Sequence, residues 1–74
     1  MPERKLGNRL KEVRLAHQLT QAELALKVGV TRKTINTIEN QVYVPSTILA
    51  LALAKTLGQP VEALFFLIDE SGSW

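Results

Sequence analysis

The chain reads as an all-α domain of five short helices, with one late segment, Phe66-Leu67-Ile68, open to either helix or strand. Three observations carry that reading. Apolar residues recur at spacings of three and four through most of the chain, the period of a helix with one buried face. Start and stop signals come in pairs: Thr20 with Gly29, and Ser46 with Gly58. The joints between periodic segments are only a few residues long, as in compact helical domains.

Helix one spans about Gly7 or Asn8 to Ala16, with Leu6, Leu10, Val13 and Ala16 on one side and Arg9, Lys11, Glu12 and Arg14 on the others. His17 falls at its end as a polar cap. Helix two opens at Thr20, whose hydroxyl can accept a backbone N–H, and Glu23 completes a Thr-x-x-Glu capping box. Ala22, Leu24, Ala25 and Val28 supply its buried side. Gly29 ends it, because glycine enters the left-handed conformation without steric penalty.

Helix three follows after a residue or two, from Thr31 to about Asn40, so the angle between helices two and three is tightly set. It turns Ile35 and Ile38 inward and Arg32, Lys33, Asn36 and Thr37 outward. Residues 41–45 form a connector, since Pro45 disfavours helix at the residue before it. Ser46 caps helix four, Thr47 to Leu57, which is apolar nearly all round and therefore expected to be central or buried on two sides. Pro60, at a first helical position, opens a short helix five through Glu62, Leu64 and Phe65. Aromatic and β-branched residues then suit either a continued helix or an extended strand. The whole chain, 1–74, is expected to be one domain with its core over 6–68, its helix pair over about 20–40 and a flexible tail over 69–74.

At 74 residues a single core is only marginally sufficient. No cysteine is present, which rules out disulfides and thiolate metal sites, and His17 alone cannot build a zinc site. No paired carboxylates or nucleophile–base set stands out, so no catalytic residue, cofactor, metal or small-molecule ligand is expected, and an enzyme is the least favoured class. No apolar run is long enough to span a bilayer and no signal-like segment opens the chain, so the expectation is a cytoplasmic protein without a membrane partner. The net charge of +2 is unevenly spread. Residues 1–41 carry +4 and residues 42–74 carry −2, so one half suits a polyanion and the other a core or a partner. A solvated surface with chance asymmetry is the plainer alternative.

The motif set Asn8 to Arg14, Leu19-Thr20-Gln21-Ala22-Glu23-Leu24-Ala25, Gly29-Val30-Thr31, Thr34-Ile35 and Ile38-Glu39-Asn40 resembles the lambda-repressor-like, Cro-type (XRE-like) helix-turn-helix family of regulators. Tyr43-x-Pro45-Ser46, Leu57-Gly58 and Val61-Glu62-x-Leu64-Phe65 extend the resemblance to Phe65. It implies a compact five-helix DNA-binding fold in which helix three enters the major groove of double-stranded DNA. Arg32, Lys33, Asn36 and Thr37 then match base-reading positions. Arg or Lys suits guanine, Asn can bridge adenine, and a Thr methyl can touch thymine. Gln21, at the start of helix two, would dock on phosphate by its amide and the helix N-terminus, positioning without specifying. Thr31, Asn40, Gln41 and Tyr43 would hold further phosphates. Without the motif, the four reading residues would pass for solvated helix surface, and Tyr43 for an aromatic at the core edge.

The same resemblance pairs Arg14 with Glu39, locking the reading helix and aiming Arg14 at phosphate. A partly exposed pair is worth about 0–1 kcal/mol, so orientation is its expected purpose. Gln18 and Gln41 occupy positions where relatives often carry glycine, and a left-handed non-glycine residue costs about 1–2 kcal/mol. One domain covers one half-site, and two-fold pairing sets two reading helices about 34 Å apart. Ile48, Ala52, Leu64, Phe66, Leu67 and Ile68 exceed what so small a core is expected to hide. Hence a homodimer interface is expected over helix five and the following segment (Leu64, Phe66, Leu67, Ile68), with an intersubunit strand pair as one form; closure of the monomer core is the alternative. The implied function is a sequence-specific transcriptional regulator, a repressor on a palindromic operator. An antitoxin or restriction-modification controller shares this chemistry, and a protein-interaction module without DNA binding is the competing class.

Overall fold

Residues 4–69, which the computed structural model describes, form seven elements. These are β1 (Arg4–Asn8), α1 (Leu10–Ala16), α2 (Gln21–Val28), α3 (Arg32–Glu39), α4 (Thr47–Leu57), α5 (Val61–Leu64) and β2 (Phe65–Asp69). Of the flexible tail expected over 69–74, Asp69 belongs instead to β2, where it pairs with Arg4, and 70–74 lies outside the described residues.

Short-range chemistry decides the helix ends. Thr20 Oγ1 accepts the Glu23 N–H at 3.0 Å while Glu23 Oε1 accepts the Thr20 N–H at 2.9 Å, making both halves of the capping box. Thr31 and Ser46 cap α3 and α4 in the same manner, at 3.2 and 3.1 Å. Gly29 and Gly58 close α2 and α4 in the left-handed conformation. Gln18 (φ 57°) and Gln41 (φ 63°) adopt it as well, so both turns keep the backbone that glycine would suit and carry the strain of a side chain. Pro60 sits one position earlier than expected, as the N-cap of α5.

Every helix contributes to one core. Leu10, Leu24, Ile35, Ile38, Leu53, Leu57 and Leu64 are each under 2% exposed, and burying a side chain of this size is worth about 1.5–3 kcal/mol. Leu64, expected at a dimer interface, is thus interior: α5 delivers it into the monomer core, where no second chain can reach it. Helix α4 also departs from expectation. It buries Leu49, Leu53, Ala54 and Leu57 on one side only, and Ile48 and Leu51 are 82% and 55% exposed because no element among the described residues covers that side.

The first and last described residues meet. Gly7 and Asn8 belong to a strand and not to the first turn of α1, and β1 pairs antiparallel with β2, Leu6 facing Leu67, Gly7 facing Phe66 and Asn8 facing Phe65. The segment Phe66-Leu67-Ile68 is therefore strand, with a partner in its own chain. Gly7 allows a close approach, since a Cβ there would meet the Phe66 ring and Ile68 Cδ1, and those side chains would have to shift to admit it. The Phe66 ring lies over this bare position, and the Arg9 guanidinium stacks on it with 4.7 Å to the ring centroid. Arg9 N–H donates to the Leu64 carbonyl at 2.8 Å, fastening the start of α1 to the end of α5.

Candidate nucleic-acid interface

Helices α2 and α3 are joined by one polar chain of contacts. Glu39, at the last turn of α3, accepts from Arg14 Nε at 2.7 Å and from Nη2 at 3.2 Å, while Arg14 Nη1 donates to the Leu19 carbonyl at 2.8 Å. The two side chains are 7% and 3% exposed. The expected pair forms, but as a buried one, and the worth of a surface pair does not apply to it. Losing either partner would strand a charge in the interior, at about 3–5 kcal/mol. All three Arg14 nitrogens are engaged inside the protein, and Arg14 keeps one further hydrogen on each of Nη1 and Nη2 beyond these bonds.

Gln21, at the first position of α2, continues the network. Its Nε2 donates to Glu39 Oε1 at 3.0 Å and to Asn36 Oδ1 at 3.2 Å, and Asn40 Nδ2 donates to the same Asn36 oxygen at 3.1 Å. The side-chain amide expected on phosphate thus ties α2 to α3. What α2 retains for an anion is its N-terminus.

The outer side of α3 presents Arg32, Lys33 and Asn36, all exposed. Thr37 is half-buried and its hydroxyl donates to the Thr34 carbonyl at 2.9 Å, so its methyl is what it has to offer a base. Arg32 and Lys33 occupy the first two positions of α3, and no acidic residue lies in that turn. The positive end of the helix dipole opposes cations there, at roughly 0.3–1 kcal/mol each. Helix α2 does the conventional thing, with Glu23 in its first turn and Lys27 in its last. The Glu23 carboxyl is accordingly held below its usual range by the Thr20 backbone N–H and then the Thr20 hydroxyl, against a small opposing effect of desolvation. Two cations placed against a dipole suit a surface that an anion will cover.

The remaining candidates border this face. Thr31 Oγ1 caps α3 and contacts Thr34 Oγ1 at 3.0 Å. Asn40 ends α3, and Gln41 follows with its Nε2 3.5 Å from the Leu6 carbonyl. Tyr43 is 46% exposed and its N–H donates to the Thr37 carbonyl at 3.2 Å, which makes it a surface aromatic. On β2, Phe66 is half-buried beneath Arg9, while Leu67 and Ile68 are 54% and 37% exposed, and Ile68 lines the same surface cleft as Asn40, Gln41 and Tyr43. His17 ends α1, its Nδ1 2.9 Å from the Val13 carbonyl.

Asn8 is a positioning residue that sequence reasoning did not single out. Its Oδ1 accepts the Leu10 N–H at 3.1 Å and its Nδ2 donates to the Ile38 carbonyl at 2.9 Å. One side chain therefore starts α1 and holds the end of the reading helix. An Asn just ahead of a helix was the available signal. Among the described residues no three His, Cys, Asp or Glu gather as a metal site, and no helix is long and apolar enough to cross a membrane.

Known proteins are similar to this chain in sequence and in fold. An HTH-type transcriptional regulator of Methanocaldococcus jannaschii is 46% identical over 65 residues, covering 88% of this chain and 98% of that protein. YgzD, an HTH-type transcriptional regulator of Bacillus subtilis, is 41% identical over 66 residues, covering 89% of this chain and 100% of YgzD. The crystal structure of the restriction-modification controller protein C.AhdI from Aeromonas hydrophila aligns with a TM-score of 0.70 at 31% identity, over 74% of this chain and 80% of that one. The helix-turn-helix family model matches residues 10–64, from the first residue of α1 to the last of α5. Because the match takes in both helices of the pair and every buried apolar residue around them except Phe65, the chain belongs to the lambda-repressor-like helix-turn-helix family of transcriptional regulators, DNA-binding proteins and not enzymes.

Proposed function

We propose that this chain is a sequence-specific repressor that acts in the cytoplasm by occupying a palindromic operator as a homodimer. The observation that carries the proposal is the exposed Arg32 and Lys33 at the N-terminus of a helix locked in place by the buried Arg14–Glu39 pair. Arg32, Lys33, Asn36 and Thr37 read base edges in the major groove. The N-terminus of α2, with Thr31, Asn40, Gln41 and Tyr43, holds the flanking phosphates. Leu67 and Ile68, with the edge of Phe66, cover the same residues of a second copy, and two reading helices then meet successive major grooves.

Selecting bound duplexes from a random pool tests the reading. A two-fold symmetric site is expected, with affinity falling steeply as salt rises, because neutralised phosphates release counterions. Arg32→Ala should cost about 1–3 kcal/mol and relax one base position, and equal loss on every sequence would sink its role. Affinity for no DNA would favour a protein-interaction module, and a monomer at micromolar concentration by sedimentation would remove the dimer. Similarity to C.AhdI favours a second reading within the same chemistry, a controller of a restriction-modification system. Adjacent restriction and methylation genes would select it.

A further inference from the structure

The amide of Asn36 has one donating end and one accepting end, and the contacts behind it determine which end is free. Glu39 is a buried carboxylate pinned by Arg14, so it offers acceptors only. Gln21 meets Glu39 Oε1 at 3.0 Å and must present its Nε2 there. The second hydrogen of the same Nε2 is directed at Asn36, 3.2 Å away, which requires Asn36 to present Oδ1. Asn40 Nδ2 lies 3.1 Å from the same oxygen, and because the Asn40 amide can turn over, it follows the orientation that Gln21 sets. Turning Asn36 over would set its NH2 against the fixed N–H donor of Gln21. The polarity of a buried ion pair is thus relayed through Gln21 to the exposed face of α3.

We propose that Asn36 reads DNA as a donor only, through Nδ2, while Gln21 is the positioning residue that enforces this. Bridging adenine takes one donor and one acceptor from the same amide, to N7 and N6, and the acceptor of Asn36 is occupied. Its two Nδ2 hydrogens instead match adjacent acceptors, the N7 and O6 of guanine best, or the O4 of thymine. Both Nε2 hydrogens of Gln21 are spent inside the protein, so its side chain sets specificity through Asn36 and does not donate to phosphate. This inference rests on the base-reading role assigned to α3 above.

The test uses the full chain and synthetic duplexes. Selection with wild type and Asn36→Ala identifies the base pair whose preference relaxes. At that pair, single groups are then deleted: an acceptor (O6, O4 or N7) or the exocyclic amino group. Deleting the acceptor should weaken wild type roughly 5- to 150-fold and leave Asn36→Ala unaffected, while deleting the amino group should change both proteins equally. An amino-group deletion that weakens wild type but not Asn36→Ala would overturn the donor-only role. Gln21→Met, of similar length and unable to donate, should admit adenine at the same pair with an unchanged circular dichroism spectrum; an unaltered preference removes Gln21 from the relay. If sites are selected but no pair relaxes in Asn36→Ala, this inference falls and the regulator reading stands. If no duplex is selected at all, both fall.

Discussion

Around α2 and α3 the polar side chains satisfy one another, Arg14 with Glu39 and Gln21 with Glu39 and Asn36, whereas on β2 and the outer side of α4 the side chains of Leu67, Leu51 and Ile48 stand more than half exposed. The first region is arranged before any partner arrives, since each buried polar group already has its counterpart. Apolar side chains in water gain nothing until something covers them. The difference separates two tasks: a prearranged reading surface, and apolar surfaces whose completion would come from a second copy.

Substitutions in each region can break that contrast. Glu39→Ala leaves Arg14 charged and buried, and should lower unfolding free energy by about 3–5 kcal/mol in urea titrations. A loss under 1 kcal/mol would mean the pair behaves as a surface pair after all. Leu67→Asp should do the reverse, keeping the helical circular dichroism signal while halving the mass seen in sedimentation. Operator affinity should then fall by about 100-fold or more, as two linked binding events become one; an unchanged mass would place the apolar region outside any interface. Gln41→Gly relieves a left-handed side chain and should stabilise by about 1 kcal/mol, raising the melting temperature by roughly 4–8 °C. A lower melting temperature would show that the Gln41 side chain earns more than its strain.

The smallest effect belongs to Glu23. Its carboxyl is held lower in the folded chain than in the unfolded one by the Thr20 N–H and hydroxyl, so the capping-box contribution is complete above the usual glutamate range and is lost as pH falls through the lower folded value. Melting curves recorded through that acid range should show Glu23→Gln with a shallower decline than wild type. Identical slopes would mean the box contributes nothing through its charge.

The helix pair was legible because its signals are local. Thr20, Glu23, Gly29 and Thr31 act on backbone groups within four residues, and the structure uses each of them as its chemistry suggests. Strand β1 was hidden for the opposite reason: it has Leu6 as its one large apolar side chain, and it exists because Phe65–Asp69, sixty residues away, lies alongside. The burial of Arg14 was out of reach in the same way, since it depends on the Leu19 carbonyl and Glu39 converging on one point. Leu64 and Leu67 could be told apart only once α5 had turned the first into the core and β2 had carried the second out of it.

The pairing of Arg4 with Asp69 brings the two ends of the described chain side by side. The backbone from 4 to 69 is therefore nearly a closed ring, with all five helices strung on it and the strand pair as its clasp. A short flexible linker between these ends should yield a circular protein with its helices undisturbed, and a new opening could be cut in the connector 41–45. A cargo joined directly at Arg4 or at Asp69 would leave the described fold from the same corner.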